Sequence, residues 1–542
     1  MIRITGLSLP LDHSQSALRK AILEKLRIDD AGLLGFTVFK RSHDARRRSS
    51  VITFVYTIDL TARDEAAILK RLAKDPHVRP APDTGYHPVG HADPSIASME
   101  RPLVVGFGPC GLFAALVLAQ AGFRPIVLER GRDVRHRTKD TWGLWRKSTL
   151  TPESNVQFGE GGAGLFSDGK LYSQIKDPRF YGRKVMQEFV RAGAPEEILY
   201  VSKPHIGTFR LTGVVAAMRA EIIALGGEVR FESKVSDLLI EQGRIEGVRL
   251  ANGEILASRH VVLAPGHSAR DTFRMLEQRG AFIEAKPFAL GFRIEHPQSL
   301  IDRVRLGKYA GHPQLGAADY KLIHHARNGR AVYSFCMCPG GTVVAATSEP
   351  HRVVTNGMSQ YSRNERNANA GIVVGISPEA DFPGGPLAGV ELQERLESHA
   401  YELGGGGYCA PGQLVGDFVR GAPSSALGDV EPSYKPGVRL GDLSSALPGY
   451  AVEAIREALP EFGKQIGGFD RADAVLTGIE SRTSSPVRIT REPESMQSLN
   501  VRGLYPGGEG AGYAGGILSA GVDGIRIAEA VIRSMLAGAE AA

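Results

Sequence analysis

The chain has little cysteine: four in 542 residues, at Cys110, Cys336, Cys338 and Cys409. None forms a CxxC pair, which excludes a zinc ribbon and a thioredoxin-type motif. Four thiols in so long a chain do not make a disulfide framework. Long apolar runs are also missing. Nothing approaches the ~18–20 consecutive apolar residues that a membrane-spanning helix needs, and the opening MIRITGLSLPLDHS lacks the apolar core of a signal peptide. A reducing, cytoplasmic setting is expected. The charge excess is small, +6 formally with 23% charged residues, and gives no warrant for nucleic-acid binding by the whole protein. No HExxH or nucleophile elbow occurs, so neither a zinc protease nor a serine hydrolase has its motif here.

What is abundant is glycine, 65 residues in all, and it is clustered. Residues 103–111 read LVVGFGPCG: an apolar strand, then Gly106, Gly108 and Gly111. A helical stretch, LFAALVLAQAGF, and a second apolar strand ending at Glu129 come next. This is the strand–turn–helix–strand–acid fingerprint of dinucleotide binding. Gly106 permits the tight turn, Gly108 lets a pyrophosphate approach the backbone, and Gly111 lets the helix pack on the sheet. The helix N-terminus offers free N–H groups and a partial positive charge. Glu129 is placed to accept both hydroxyls of an adenosine ribose.

A chain of this length should hold two or three domains. Residues 1–75 read as a small α+β domain with strands at IRITGLSL, FTVFKRS and SVITFVYTIDL. The turn between the last two carries Lys40, Arg41, Arg46, Arg47 and Arg48, a solvated loop or a contact for a phosphate or acidic partner. Residues 76–100, rich in Pro, His, Asp and Gly, read as a linker. Residues 101–275 and 475–542 read as one discontinuous nucleotide-binding domain, with a β-meander at 226–266, and 276–474 as an inserted substrate or cap domain. Within the insert, AVYSFCMC–PGG–TVVAATSE reads as a hairpin. No second complete fingerprint appears.

Three further glycine clusters lie at FGEGGAGLFSDGKL (158–171), VVLAPGHSAR (261–270) and LYPGGEGAGYAGGILSAGVDGIRIAEAVI (504–532). In this order they resemble FAD-dependent oxidoreductases of the two-dinucleotide-binding type. KRSHDARR, FCMCPGG, NGMSQYSRNERNANAGIVV, PSYKPGV and IESRTSSPVRI narrow this to a resemblance to a bacterial family of uncharacterised FAD-dependent dehydrogenases, over nearly the whole chain.

The resemblance implies an α/β, Rossmann-like FAD-binding domain of glutathione-reductase type, an inserted α+β substrate domain and the small N-terminal domain. It implies an ADP site at Gly106, Gly108, Pro109, Cys110, Gly111, Glu129 and Arg130. Gly159, Gly161, Gly162 and Gly164 form a second loop on the cofactor, Val235 lends a backbone contact to adenine, and Ala264 and Gly266 lie beneath. Gly508 and Glu509 take the ribityl chain, and Gly516 and Ile517 the pyrimidine end. The usual acid of that last turn is Asp, which Glu509 replaces here.

Flavin would do the redox chemistry, with NADH or NADPH as reductant by analogy. The substrate is an organic molecule of unknown identity. Rival readings are a flavin monooxygenase and a flavin-containing RNA-binding or RNA-modifying factor. The candidate catalytic residues are Cys336, Cys338 and Arg482. The two cysteines would share one strand face as a dithiol, although an extended strand holds Cα atoms two apart at about 6.5–7 Å, the limit for bridging. Packing is the competing role. Arg482 would clamp an anion or pair with an acid such as Glu480. His267 and Lys435 read as turn residues, and Trp142 and Trp145 as core.

Overall fold

The computed structural model describes residues 1–45, 51–93 and 100–540. Arg46, Arg47 and Arg48 of the basic turn lie outside the described residues.

The N-terminal unit is an antiparallel sheet in the order Leu33–Asp44, Thr53–Ala62, Ile2–Pro10, Val78–Pro80. Along Thr53–Ala62 every second residue is buried, from Phe54 to Ala62, the period-2 signature of a strand with one face on a core. Leu18, Ile22 and Leu26 recur every four residues on helix Gln15–Leu26 and are buried. The strand Val78–Pro80 falls inside the stretch expected to be a linker. It pairs with Ile2–Ile4, so the ordered unit runs to Pro80 rather than stopping at 75. Arg41 ties this unit to the larger body of the chain: its N–H donates to the Tyr200 carbonyl at 2.6 Å, and its carbonyl accepts from Ser202 at 2.9 Å.

The second unit is a five-stranded parallel sheet in the order Leu504–Pro506, Val261–Leu263, Leu103–Val105, Ile126–Leu128, Glu228–Arg230. Each strand has only three residues, and the three middle ones are fully apolar and buried, as expected of strands covered on both faces. Helix Pro109–Gln120 is buried along nearly its whole length. It packs against Ile517–Glu540 and Thr208–Ala224, and a Cβ at Gly524 would lie 2.2 Å from the Cys110 carbonyl oxygen. Glycine at that crossing lets the two helices touch backbone to backbone. Of the meander expected at 226–266, Val235–Glu241, Arg244–Leu250 and Ile255–Ala257 form an antiparallel sheet, while Glu228–Arg230 and Val261–Leu263 belong to the parallel sheet.

The third unit is a larger sheet, ordered Ile323–His325, Ala331–Ala345, Asn367–Ile376, Phe288–Pro297, Val475–Glu480, Ala410–Leu414, Val438–Leu440, with Thr355–Ser359 paired to Ala331–Ala345. Phe288–Pro297 and Val475–Glu480 are buried almost throughout. Two expectations change here. Val475–Glu480 pairs with Phe288–Pro297, so the insert extends past residue 474. Pro339-Gly340-Gly341 is not a hairpin turn but lies within the single strand Ala331–Ala345. The chain leaves the second unit through Ile283–Ala285 and returns through Val487–Ile489, and these two segments pair with each other.

Candidate functional site

The parallel strands end in register: Val105 stands beside Leu128 and Leu263, and Leu263 beside Pro506. Their carboxyl ends feed Gly106, Glu129, Ala264 and Gly507 into one place, where open α/β sheets bind ligands. There a cleft of about 450 Å³ runs from Glu129 and Val235 to Ile517 and Cys336.

The glycines around it divide into two kinds. Some are demanded by the protein itself. A Cβ at Gly111 would sit 2.0 Å from the Gly106 carbonyl oxygen, and one at Gly162 would sit 2.7 Å from the Gly108 Cα. Others border the cleft with room beside them, although Gly266 is also favoured by its own backbone, at φ +78°. A Cβ at Gly108 would meet only the Gly162 Cα at 3.5 Å, and at Gly266, Gly515 and Gly516 it would meet nothing within 4 Å. Their missing side chains keep the space open for a ligand that comes close to backbone.

Gly108 is also the N-cap of Pro109–Gln120, with Pro109 at the first helical position, where its lack of an N–H costs nothing. The other N–H groups of that first turn lack helical acceptors and favour an anion. Pro109, Cys110, Gly162 and Gly164 line the cleft beside them. Cys110 also packs under Gly508, and burial pushes its thiol pKa well up. Gly111 and Gly161 stand behind the wall rather than on it. Gly161 donates to the Phe107 carbonyl at 2.9 Å.

The glycine loop at 159–162 is shaped by Arg137, which is fully buried. Its guanidinium donates to the carbonyls of Asn155, Val156, Gly159 and Glu160 at 2.6–3.2 Å. A Cβ at Gly159 would lie 2.4 Å from the Arg137 Cδ, so the loop's glycine accommodates the arginine beneath it.

Glu129 is less free than expected. One carboxylate oxygen accepts from Gly131 and Gly159 N–H at 2.9 Å each, and the other accepts from Phe107 N–H at 2.8 Å. A carboxylate has about four acceptor sites, so it retains room for one ribose hydroxyl, not two. Glu129→Gln puts an amide N–H₂ against a backbone donor. It is expected to cost about 1–3 kcal/mol, read as a lower unfolding temperature of the cofactor-free protein. Arg130 is bound on both sides, by Glu153 at 2.6 Å and Asp271 at 2.9 Å, and lies 4.0 Å over the Phe158 ring. It presents a flat wall rather than a spare cation.

Arg482 lines the cleft but has no donor left for an anion. Its five N–H positions go to Glu397, Glu349, Ser268 and Ser348 at 2.8–3.3 Å. The clamp expectation is therefore corrected: Arg482 is part of a buried ion network, and its acid is Glu397, not Glu480. His267 stands beside it in the cleft, its pKa pushed down to about 3 by burial and then by Arg482 and Arg270. Lys435 is exposed. Trp145 is buried and donates from its ring N–H to the Ala345 carbonyl at 2.9 Å, which joins the second and third units. Gln157 does the same to Ala346 at 2.9 Å.

At the far end, Cys336 and Met337 line the cleft together with Ser167, Asp168, Lys170 and Tyr320. Cys338 lies behind it, fully buried. Two carboxyls in this end titrate near neutral pH. Burial raises Glu480 to about 7 against the pull of Arg293, and raises Glu509 to about 7 against that of Lys286. Arg293, Lys170, Tyr320 and Lys286 are absent from the sequence-based site. Lys170 stood in the 158–171 glycine loop, where its DGK step was the available signal. The others sit on apolar strands or their connections, with no local pattern to mark them.

Among the described residues no cluster of His, Cys, Asp and Glu is arranged to hold a metal, and no helix is long and apolar enough to cross a membrane. The chain matches the family model "FAD-dependent protein, C-terminal domain-like" over residues 287–483 and a domain of unknown function over residues 1–61. A protein of Clostridium beijerinckii, described as uncharacterized, is 48% identical over 537 residues, 98% of each chain. Among solved structures, glycine oxidase from Bacillus cereus aligns at 11% identity and TM-score 0.36, over 80% of this chain and 97% of that one. L-proline dehydrogenase from P. horikoshii aligns at 14% identity and TM-score 0.32, over 80% and 94%. The chain thus belongs to the family of the Clostridium beijerinckii protein, and its match to the FAD-dependent C-terminal model falls on the third unit.

Proposed function

We propose that this chain is an FAD-dependent oxidoreductase that moves a hydride or an electron pair between flavin and an organic substrate. The observation that carries the reading is the cleft bordered by Gly108, Gly266, Gly515 and Gly516, where absent side chains leave space that the protein does not use. In this reading the first turn of Pro109–Gln120 holds the pyrophosphate and Glu129 one ribose hydroxyl. Val235 borders the adenine, Gly508 and Glu509 the ribityl chain, and the start of helix Ile517–Glu540 the pyrimidine edge. When bound, the flavin supplies two-electron chemistry that side chains lack. The protein's part is to orient, to shed water and to hold protons: Glu480 and Glu509, both near neutrality, keep a proton available beside the reacting end.

The family model names FAD-dependent proteins over residues 287–483, which supports this cofactor over a dissociable nicotinamide. NADH or NADPH as the electron donor is part of the proposal. Purified protein, or protein reconstituted with FAD, is expected to show the two visible flavin bands and to lose them on anaerobic titration with one of the two nicotinamides. A colourless protein that takes up no FAD overturns the reading. Fast reoxidation by oxygen coupled to substrate hydroxylation would move it to a monooxygenase.

A further inference from the structure

Cys336 and Cys338 stand apart from the other two thiols. Cys110 is sealed under Gly507 and Gly508, and the Cys409 thiol donates to the Pro436 carbonyl at 3.1 Å away from the cleft. Cys336 lies on the cleft wall with Cys338 directly behind it.

Between the two the strand is irregular. Pairing of Ala331–Ala345 with Asn367–Ile376 breaks between Phe335 and Cys338 and again between Cys338 and Gly341. Cys336 takes φ +41°, a left-handed conformation that costs a non-glycine residue roughly 1–3 kcal/mol and persists where the surroundings enforce it. The bulge abandons the extended spacing that would keep two sulfurs apart. The Cys338 thiol turns back to the Cys336 carbonyl, 3.3 Å away.

Two cations bracket the pair. The Lys170 ammonium donates to the Met337 carbonyl between them, and the Arg293 guanidinium reaches the Cys336 carbonyl at 3.0 Å and the Cys338 sulfur at 3.8 Å. Facing Cys336 are the carboxyls of Asp168, Glu480 and Glu509. The adjacent Cys338 thiol, then Lys170 and Arg293, hold the Cys336 thiol below its ordinary range, while Cys338 is pushed up. One sulfur is thus set as the thiolate and the other keeps its proton. The buried hydroxyl of Tyr320, a residue that also lines the cleft, has no hydrogen-bond partner among the described residues.

We propose that Cys336 and Cys338 are a redox pair that exchanges two electrons with the flavin. This rests on the flavin reading of the cleft. In the oxidising direction the Cys336 thiolate and the Cys338 sulfur form an S–S bond and the Cys338 S–H bond breaks. The thiol proton and one electron pair pass to an oxidised flavin, which becomes the reduced anion. The reverse direction uses the same atoms.

The protein without flavin decides the first half. After treatment with diamide, tryptic peptide 331–352, which holds both cysteines, is expected two hydrogens lighter and blocked to maleimide until reduced. Unchanged mass with two free thiols overturns the pair. The FAD-loaded, pre-oxidised protein decides the second half. Anaerobic dithionite titration is expected to consume four electrons per flavin, against two in Cys338→Ala and Cys336→Ser. Two per flavin in the parent overturns the exchange even where the disulfide forms. Failure to load FAD overturns it through the cofactor reading, and the missing visible bands make that failure distinguishable.

Discussion

Gly108→Ala is expected to fold as the parent does and to hold FAD on the order of 100-fold more weakly, about 2.7 kcal/mol. Gly108 has φ −76° and ψ −177°, extended backbone that any residue adopts. The added methyl would meet only the Gly162 Cα, at an ordinary 3.5 Å. Its remaining neighbour is the space at the start of helix Pro109–Gln120, where phosphates would come closest to backbone N–H groups. Two measurements separate cause from damage: the unfolding temperature without cofactor, expected unchanged, and the FAD dissociation constant by fluorescence quenching. An unchanged constant would remove the pyrophosphate from this turn. Gly111→Ala is the contrasting variant. Its Cβ would lie 2.0 Å from the Gly106 carbonyl oxygen, so it is expected to lose folded protein and cofactor together.

Glu397→Ala is expected to destabilise by about 3–5 kcal/mol, the usual result of leaving buried charges without their partner. Glu397 is fully buried. It takes two hydrogen bonds from Arg270 at 2.7 and 3.0 Å, two from Arg482 at 2.8 and 3.0 Å, and one from Ser481 at 2.7 Å. Without it two buried guanidinium groups share Glu349, whose side chain is 27% exposed. The change should appear as poor soluble yield and a sharply lower unfolding temperature. Glu397→Gln, which keeps the volume, should fall between alanine and the parent.

The same carboxylate predicts an acid limb. Burial works against its ionisation, but Arg270 and Arg482 outweigh burial and hold its pKa well below the carboxylate range. A depressed folded pKa gives stability that is fully present above the unfolded value, about 4.3, and is lost as pH falls toward the folded one. The parent should lose unfolding temperature below about pH 4, and Glu397→Ala should show less of that loss. Equal slopes for the two would mean that other carboxylates carry the acid sensitivity.

The glycine turn and the acid at the carboxyl ends of the parallel strands were legible because their requirements are local. Gly111 is needed by a carbonyl five residues earlier, and Glu129 closes a strand that comes directly after the turn and its helix. The far end of the cleft was not, because pairing at long range builds it. Arg482 chooses Glu397, 85 residues away, over Glu480 two positions back, which faces the opposite partner Arg293 at 3.4 Å. Pro339-Gly340-Gly341 has turn chemistry by every local rule, yet pairing on both sides carries the strand through it. A Cβ at Gly340 would lie 1.7 Å from the Arg363 carbonyl oxygen, a contact the local sequence cannot announce. No strand is read from the sequence at VLTGIE; its pairing with Phe288–Pro297 places it in the third sheet.

The order of strands in the parallel sheet has a consequence for synthesis. Val261–Leu263 is complete long before its second neighbour, Leu504–Pro506, exists; about 240 residues separate them. At ~5–20 residues per second that is a wait of roughly 12–50 s. Throughout it the nascent domain exposes an apolar strand edge, and helix Pro109–Gln120 lacks the cover of Ile517–Glu540. On the ribosome the fingerprint emerges early yet stays half-walled. The cleft is closed only once residues 507–520 have been made, so the interval in which the strand edge is open to edge-to-edge pairing comes before any ligand can bind there.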